Sequence, residues 1–165
     1  MGWHNPIAMD PMEALLNRLA DSGIPMEEPL REAMMQIDIR HFSDLDPTPF
    51  FHDIPLVFMK TRSGGVKTVS APHMVATMLH HLELAHSQNV VLIGSKGGYV
   101  SALIGQLVGP EGSVVVLDPS VEVVEHTNDR LVDFSNCSVE LLTNLDAGPS
   151  SLSSELNRIL VTGSI

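Results

Sequence analysis

Cysteine is nearly absent from this sequence: Cys137 stands alone among 165 residues. With no second thiol it forms no internal disulfide, which points to a reducing compartment, the cytoplasm. No basic neighbour lowers its pKa, so a reactive thiol is not expected. Bases are scarce as well, nine lysines and arginines against twenty acids, for a net charge of −11. So acidic a surface repels phosphate backbones, and no basic stripe is visible, so nucleic acid is not an expected partner. Long apolar runs are missing too. VVLI (90–93) and VVVL (114–117) are strand-sized and far short of a membrane span, so no membrane partner is expected. The start, MGWHNPIAMD, has no basic head followed by an apolar run, and Pro6 spoils an acylation pattern at Gly2. Histidines at 80, 81 and 86 do not give the facing i, i+4 pair of a helical metal site, so no metal is expected.

What is present suits one globular domain, with 44% hydrophobic and 18% charged residues. Apolar residues recur at helical spacing over 11–20 and again over 28–37. Residues 43–65, with Pro47, Pro49, Pro55 and Gly64-Gly65, read as an irregular, loop-rich segment. A third helix is expected from about Pro72 to Leu84. The texture then changes to alternating elements: a strand from Asn89, a helix over 99–108, a strand over 113–118, a helix over 119–134, and strands over 138–143 and 158–162. That alternation predicts an α/β fold, a Rossmann-like doubly wound, mainly parallel sheet preceded by N-terminal helices. The nine methionines mostly fall at core spacing, where Met is adaptable filler, although Met34-Met35 could also line a groove.

Two places invite chemistry. The first strand runs into Gly94-Ser95-Lys96-Gly97-Gly98, and Asp118 ends the next strand. Glycines there permit close approach of a ligand to the main chain, and an acid at that distance suits ribose hydroxyls. An ordinary strand-to-helix turn with a solvated aspartate has the same pattern. No Gly-Lys-Ser/Thr follows, which disfavours a nucleoside triphosphate site. The second place is TVSAPHMVATML (68–79), where Ser70 precedes a Pro suited to a first helical turn. Ser70 is either a helix cap or a hydroxyl facing substrate. A Ser-His-Asp triad with His73 is disfavoured, because both residues share one helix start and no oxyanion motif accompanies them.

With these residues in view, the chain resembles the protein-L-isoaspartate O-methyltransferases, which use S-adenosylmethionine. Residues 32–43 (EAMMQIDIRHFS), HDIPL (52–56), TVSAPHMVATML, VLIGSKGGY (91–99) and RILVTG (158–163) are similar to segments of that family in the same order. The resemblance implies the class I methyltransferase fold and methyl transfer from S-adenosylmethionine to isoaspartyl carboxylates of damaged proteins, a repair reaction. It implies that Ser70 is the active-site serine and that Ala71, Pro72 and His73 hold the substrate. Gly94, Ser95, Gly97 and Gly98 would lie along the methionine and ribose, Asp118 would take the ribose hydroxyls, and Asp146 with Ala147 would edge the adenine. Residues 1–88 would pack helices and a substrate-side loop onto a cofactor-binding core at 89–165.

Two features depart from the family pattern. Leu92 and Lys96 stand where the family has an acid and a glycine. The sequence also stops at Ile165, just past the fourth strand, where the family continues with further elements. An exposed edge at 158–162 would then need a partner or a second copy of the chain. The alternatives are a catalytically inactive homologue that serves as a binding or assembly subunit, and methyl transfer to another carboxylate.

Overall fold

The computed structural model describes residues 9–152 and 155–163. The expectations about a leader and acylation at residues 1–8 therefore lie outside the described residues. Helices α1 (Pro11–Asp21) and α2 (Glu28–Gln36) come first, followed by the short α3 (Thr48–Phe51). The strands β1 (Leu56–Lys60) and β2 (Val66–Val69) form an antiparallel hairpin, and α4 (Pro72–Leu82) follows. Then β3 (Asn89–Ile93), α5 (Tyr99–Val108), β4 (Ser113–Asp118), α6 (Val121–Arg130), β5 (Cys137–Leu141) and β6 (Arg158–Val161) build the sheet layer. The four later strands are all parallel, in the order β5-β4-β3-β6, with helices flanking them. This is the expected Rossmann-like class.

The hairpin corrects the reading of 43–65 as irregular. β1 reads LVFMK, four apolar residues and a lysine with no apolar-polar alternation to mark a strand. Its register also shifts between Val57 and Met59, so the pairing is not regular. The prolines beside it serve α3 and the approach to β1, while Gly64, at φ +89°, turns the chain between the two strands.

Burial follows the strand period. Val90 and Leu92 of β3 and Val114 and Val116 of β4 face one large cluster, which takes in the inner stripes of α1, α2, α4, α5 and α6. Val91, Val115 and Leu117 point to the opposite face, against Ile93, Leu142 and Leu152. Met34 is core, while Met35 is exposed, so the pair does not line a groove together. Burial pushes the Cys137 thiol up to about 12, and its Sγ lies 3.3 Å from the Ser101 carbonyl, in keeping with an inert cysteine.

Few aromatics are available, and three of them join the 42–50 segment to the start of α5. Tyr99, at the start of α5, meets Phe42 edge-on at 5.6 Å and Phe50 at 5.3 Å between ring centroids. Such contacts add to the area they bury. Arg130 and His126 of α6 reinforce the junction. Arg130 donates to the His41 carbonyl at 3.0 Å and to Asp44 at 2.8 Å, and His126 Nε2 lies 2.9 Å from the Phe42 carbonyl.

The start of α4 is capped in an unexpected way. The residue before the helix is Ala71, which has no side chain able to cap, and Ser70 stands one place further out. Asp53, twenty residues upstream, accepts the His73 main-chain N–H at 2.8 Å instead. The capping reading of Ser70 is thus overturned, because the helix begins too late for its hydroxyl and a distant carboxylate does that work.

Two stability outcomes follow from this packing. The Tyr99 hydroxyl is fully buried without a hydrogen-bond partner among the described residues. Tyr99→Phe should therefore raise unfolding stability in urea by about 1 kcal/mol, and a clear loss would contradict the unpaired state. Asp53→Ala should lower stability by about 1 kcal/mol through the lost cap. Ser70→Ala should stay within about 0.5 kcal/mol of the native chain in the same titration.

Candidate cofactor and substrate site

Parallel register brings the carboxyl ends of the four strands side by side. Ile93 of β3 pairs with Leu117 of β4 and with Val161 of β6. The chain winds outward from β3 through β4 to β5, then returns to the other side of β3 for β6. The reversal falls at β3, so the crevice beyond its end is a topological switch point, where ligands bind in open α/β sheets.

A cavity of about 710 Å³ opens there. Its walls include Ile93, Gly94, Asp118, Pro119, Leu142, Leu145 and Asp146, with Lys67 reaching in from the hairpin. A second chamber of about 310 Å³ shares Lys67, Gly94, Asp118 and Gly163 with the first and adds Phe58, Thr68, Ser95, Lys96 and Thr162. Together they form one crevice that runs from the 142–146 loop, past Asp118, to the glycine loop and the hairpin.

Asp118 is the fixed charge of this crevice. Its Oδ2 accepts the Ser95 N–H and its Oδ1 accepts the Ser120 N–H, both at 3.0 Å. Each oxygen keeps a lone pair, enough for a pair of vicinal hydroxyls. Ser95 is buried, and its hydroxyl is committed to the loop. Its Oγ accepts from Gly97 N at 3.2 Å and from Thr127 Oγ1 at 2.9 Å. Ser95 therefore shapes the site chiefly through its backbone.

Gly94 and Gly97 are required by space as well as by backbone angle. A Cβ on Gly94, at φ +93°, would stand 2.5 Å from Thr162 Oγ1. A Cβ on Gly97, at φ +71°, would meet the Phe58 ring at 2.9 Å. Gly98 packs beneath Phe42 and Leu131 at the start of α5. Gly97 and Gly98 thus touch the supporting core and line neither chamber. Lys96 is the odd member of the loop, left-handed at φ +49°. Burial, the largest influence, pushes its ammonium below the ordinary lysine range; Asp118 opposes this, and the charge of Lys67 adds to it. Leu92 is buried in the main core and offers the crevice no polar contact.

At the end expected to edge an adenine, the structure separates two residues. Asp146 lines the larger chamber, while Ala147 beside it is exposed and does not. Thr143, Asn144 and Lys67 line that chamber without having been singled out. The first two were signalled by their position just past a strand end, whereas Lys67 required the hairpin to be recognised.

Ser70, Ala71, Pro72 and His73 line neither chamber. They continue directly from one wall, however. Residues two apart on an extended strand share a face. Thr68 lines the smaller chamber, Val69 is fully buried on the opposite side, and Ser70 is half-buried with no hydrogen-bond partner among the described residues. His73, at the second position of α4, is held through its ring by Asp53. Among the described residues no group of three histidine, cysteine or acidic side chains is arranged to hold a metal, and no helix is long and apolar enough to cross a membrane.

Comparison with known proteins accords with this geometry. A family model described as protein-L-isoaspartate (D-aspartate) O-methyltransferase matches residues 10–148. The protein-L-isoaspartate O-methyltransferase of Ignicoccus hospitalis is 30% identical over 158 residues, covering 91% of this chain and 69% of that protein. That of Methanococcus aeolicus is 26% identical over 153 residues, covering 93% of this chain and 69% of its own. A solved protein-L-isoaspartate O-methyltransferase superposes with a TM-score of 0.76 at 23% identity, over 92% of this chain and 47% of its own length. A putative one from Plasmodium falciparum, solved with S-adenosyl-L-homocysteine, gives 0.65 at 20% identity, over 80% of this chain and 63% of its own. The chain thus spans about half to two thirds of the length of these relatives. By the extent of the family match and the order of its motifs, the chain belongs to the protein-L-isoaspartate (D-aspartate) O-methyltransferase family.

Proposed function

We propose that the chain binds S-adenosylmethionine in the crevice at the switch point and serves methyl transfer to isoaspartyl carboxylates of damaged proteins. The observation that carries this reading is the Asp118 carboxylate, held by two main-chain amides with its remaining lone pairs at a chamber of nucleoside size. The residues present fit the adenosyl group. Asp118 is placed for the ribose hydroxyls, Ile93, Pro119, Leu142 and Leu145 offer apolar surface for the base, and Asp146 and Asn144 offer polar edges. Gly94 and the Ser95 backbone floor the crevice between these and the hairpin, with Gly97 and Gly98 supporting them from below.

When bound, the cofactor supplies an activated methyl group on a sulfonium, which a carboxylate oxygen takes directly. The protein's task is then alignment, which is worth several orders of magnitude in rate. Ser70 supplies a free hydroxyl to orient the carboxylate, and Ala71, Pro72 and His73 hold the peptide around it. Residues 1–88 carry this substrate side, and 89–165 carry the cofactor side. The acidic surface and the single, half-buried cysteine suit the cytoplasm. Among the described residues β6 is an edge strand with Ile159 and Val161 exposed, a place for a partner or a second copy of the chain. The inactive-homologue alternative has less support, because the amide-held carboxylate and the unpaired Ser70 hydroxyl are both retained.

Calorimetric titration with S-adenosylhomocysteine should give micromolar binding, and silence at millimolar ligand would remove the cofactor reading. Lys96→Gly relieves a left-handed side chain and a cation facing the crevice. It should tighten S-adenosylmethionine by about ten-fold, the equivalent of about 1.4 kcal/mol. Ser70→Ala should depress methyl transfer to an isoaspartyl peptide while leaving the homocysteine titration unchanged.

A further inference from the structure

Asp53 does more than a cap requires. The residue stands after α3 in the left-handed region, at φ +59°, a conformation that a non-glycine residue holds only when its surroundings fix it. Its Oδ1 accepts the His73 N–H at 2.8 Å, which alone would cap α4. The same carboxylate also faces the imidazole, with His73 Nδ1 lying 3.0 Å from Oδ1 and 2.9 Å from Oδ2. An ionised carboxylate only accepts, so Nδ1 carries a hydrogen, and in the neutral tautomer this leaves Nε2 as a bare acceptor. His73 is half-buried, its side chain 44% exposed against 31% for Asp53.

We propose that Asp53 is a positioning residue that fixes His73 with Nε2 as a hydrogen-bond acceptor for a main-chain N–H flanking the isoaspartyl residue of the substrate. The inference rests on the reading of 70–73 as the substrate loop and gives that loop a chemical logic. The Ser70 hydroxyl donates to the carboxylate to be methylated, and three residues on His73 accepts from the neighbouring amide. A free carboxylic acid lacks that amide donor, so the pair selects a peptide over a small acid. No proton relay is involved, because the Ser70 hydroxyl has no partner among the described residues.

Asp53→Asn separates this role from the cap. The Asn Oδ1 still accepts the His73 N–H and stays beside Nδ1, while Nδ2 replaces the nearer Oδ2 and donates to Nδ1, which shifts the ring hydrogen toward Nε2. Nitrogen-15 NMR of the neutral ring should show Nδ1–H in the native chain and Nε2–H in the variant, with thermal unfolding unchanged. Affinity for an isoaspartyl peptide should fall about ten-fold in the variant, the scale of one lost and one opposed hydrogen bond. A peptide N-methylated at both flanking amides should bind the native chain correspondingly less well and should not distinguish the variant from it. A native ring already protonated on Nε2, or equal loss from N-methylation in both proteins, overturns the proposal. If the native chain binds neither peptide, the substrate reading itself fails and takes the acceptor role with it. A tautomer change without any change in peptide affinity defeats the acceptor role alone and leaves methyl transfer standing.

Discussion

The crevice depends on one carboxylate held by two amides. Asp118 is almost wholly buried, and a buried charge is tolerated only when it is hydrogen-bonded. Its two partners come from different loops, Ser95 after β3 and Ser120 before α6, so a single side chain sets the spacing between the exits of adjacent strands. The Ser120 hydroxyl in turn accepts from Val123 N at 3.4 Å, and Thr127 of the same helix donates to the Ser95 hydroxyl. Loop, strand end and helix start are therefore one network. The same network leaves lone pairs of Asp118 toward the cavity, so what holds the loop in shape also forms the binding surface.

Around that carboxylate the electrostatics are unusual for a chain so acidic overall. Lys67 and Lys96 both line the smaller chamber; the charge of Lys67 disfavours the Lys96 ammonium, while Asp118 favours it. Burial favours the neutral form of Lys96, so the protein works against the cation as well as with it. A flexible lysine can withdraw its charge toward solvent more readily than a fixed guanidinium.

The parallel core was legible because its strands are short apolar runs buried on both faces and its helices keep a clean period, so 89–93, 99–108 and 113–118 were read almost to the residue. The glycine loop and Asp118 were legible from order alone. The hairpin was not, since a bulge and flanking prolines hide its pairing, and with it went Lys67 as a wall of the site. Ser95 was expected along the ligand, but its hydroxyl is turned into the loop, a choice made by Thr127 thirty-two residues away, which no local pattern records. Ala147 shares its short turn with Asp146, yet only one of two adjacent residues faces the cavity.

The hairpin also ties the crevice to the segment that opens α4. Thr68 touches the smaller chamber, and the chain leaves β2 one residue later to enter the Ser70–His73 segment. The distance from glycine loop to serine is thus set by strand geometry rather than by a free loop. Val69, fully buried between Thr68 and Ser70, locks the alternation, since a slip of one residue would turn both hydroxyls inward and expose the valine. Asp53 fixes the far end of the same segment by gripping the first turn of α4. Residues 70–73 are consequently held at both ends while Ser70 itself is left unbonded. That arrangement spends rigidity on position and leaves the hydroxyl free to donate.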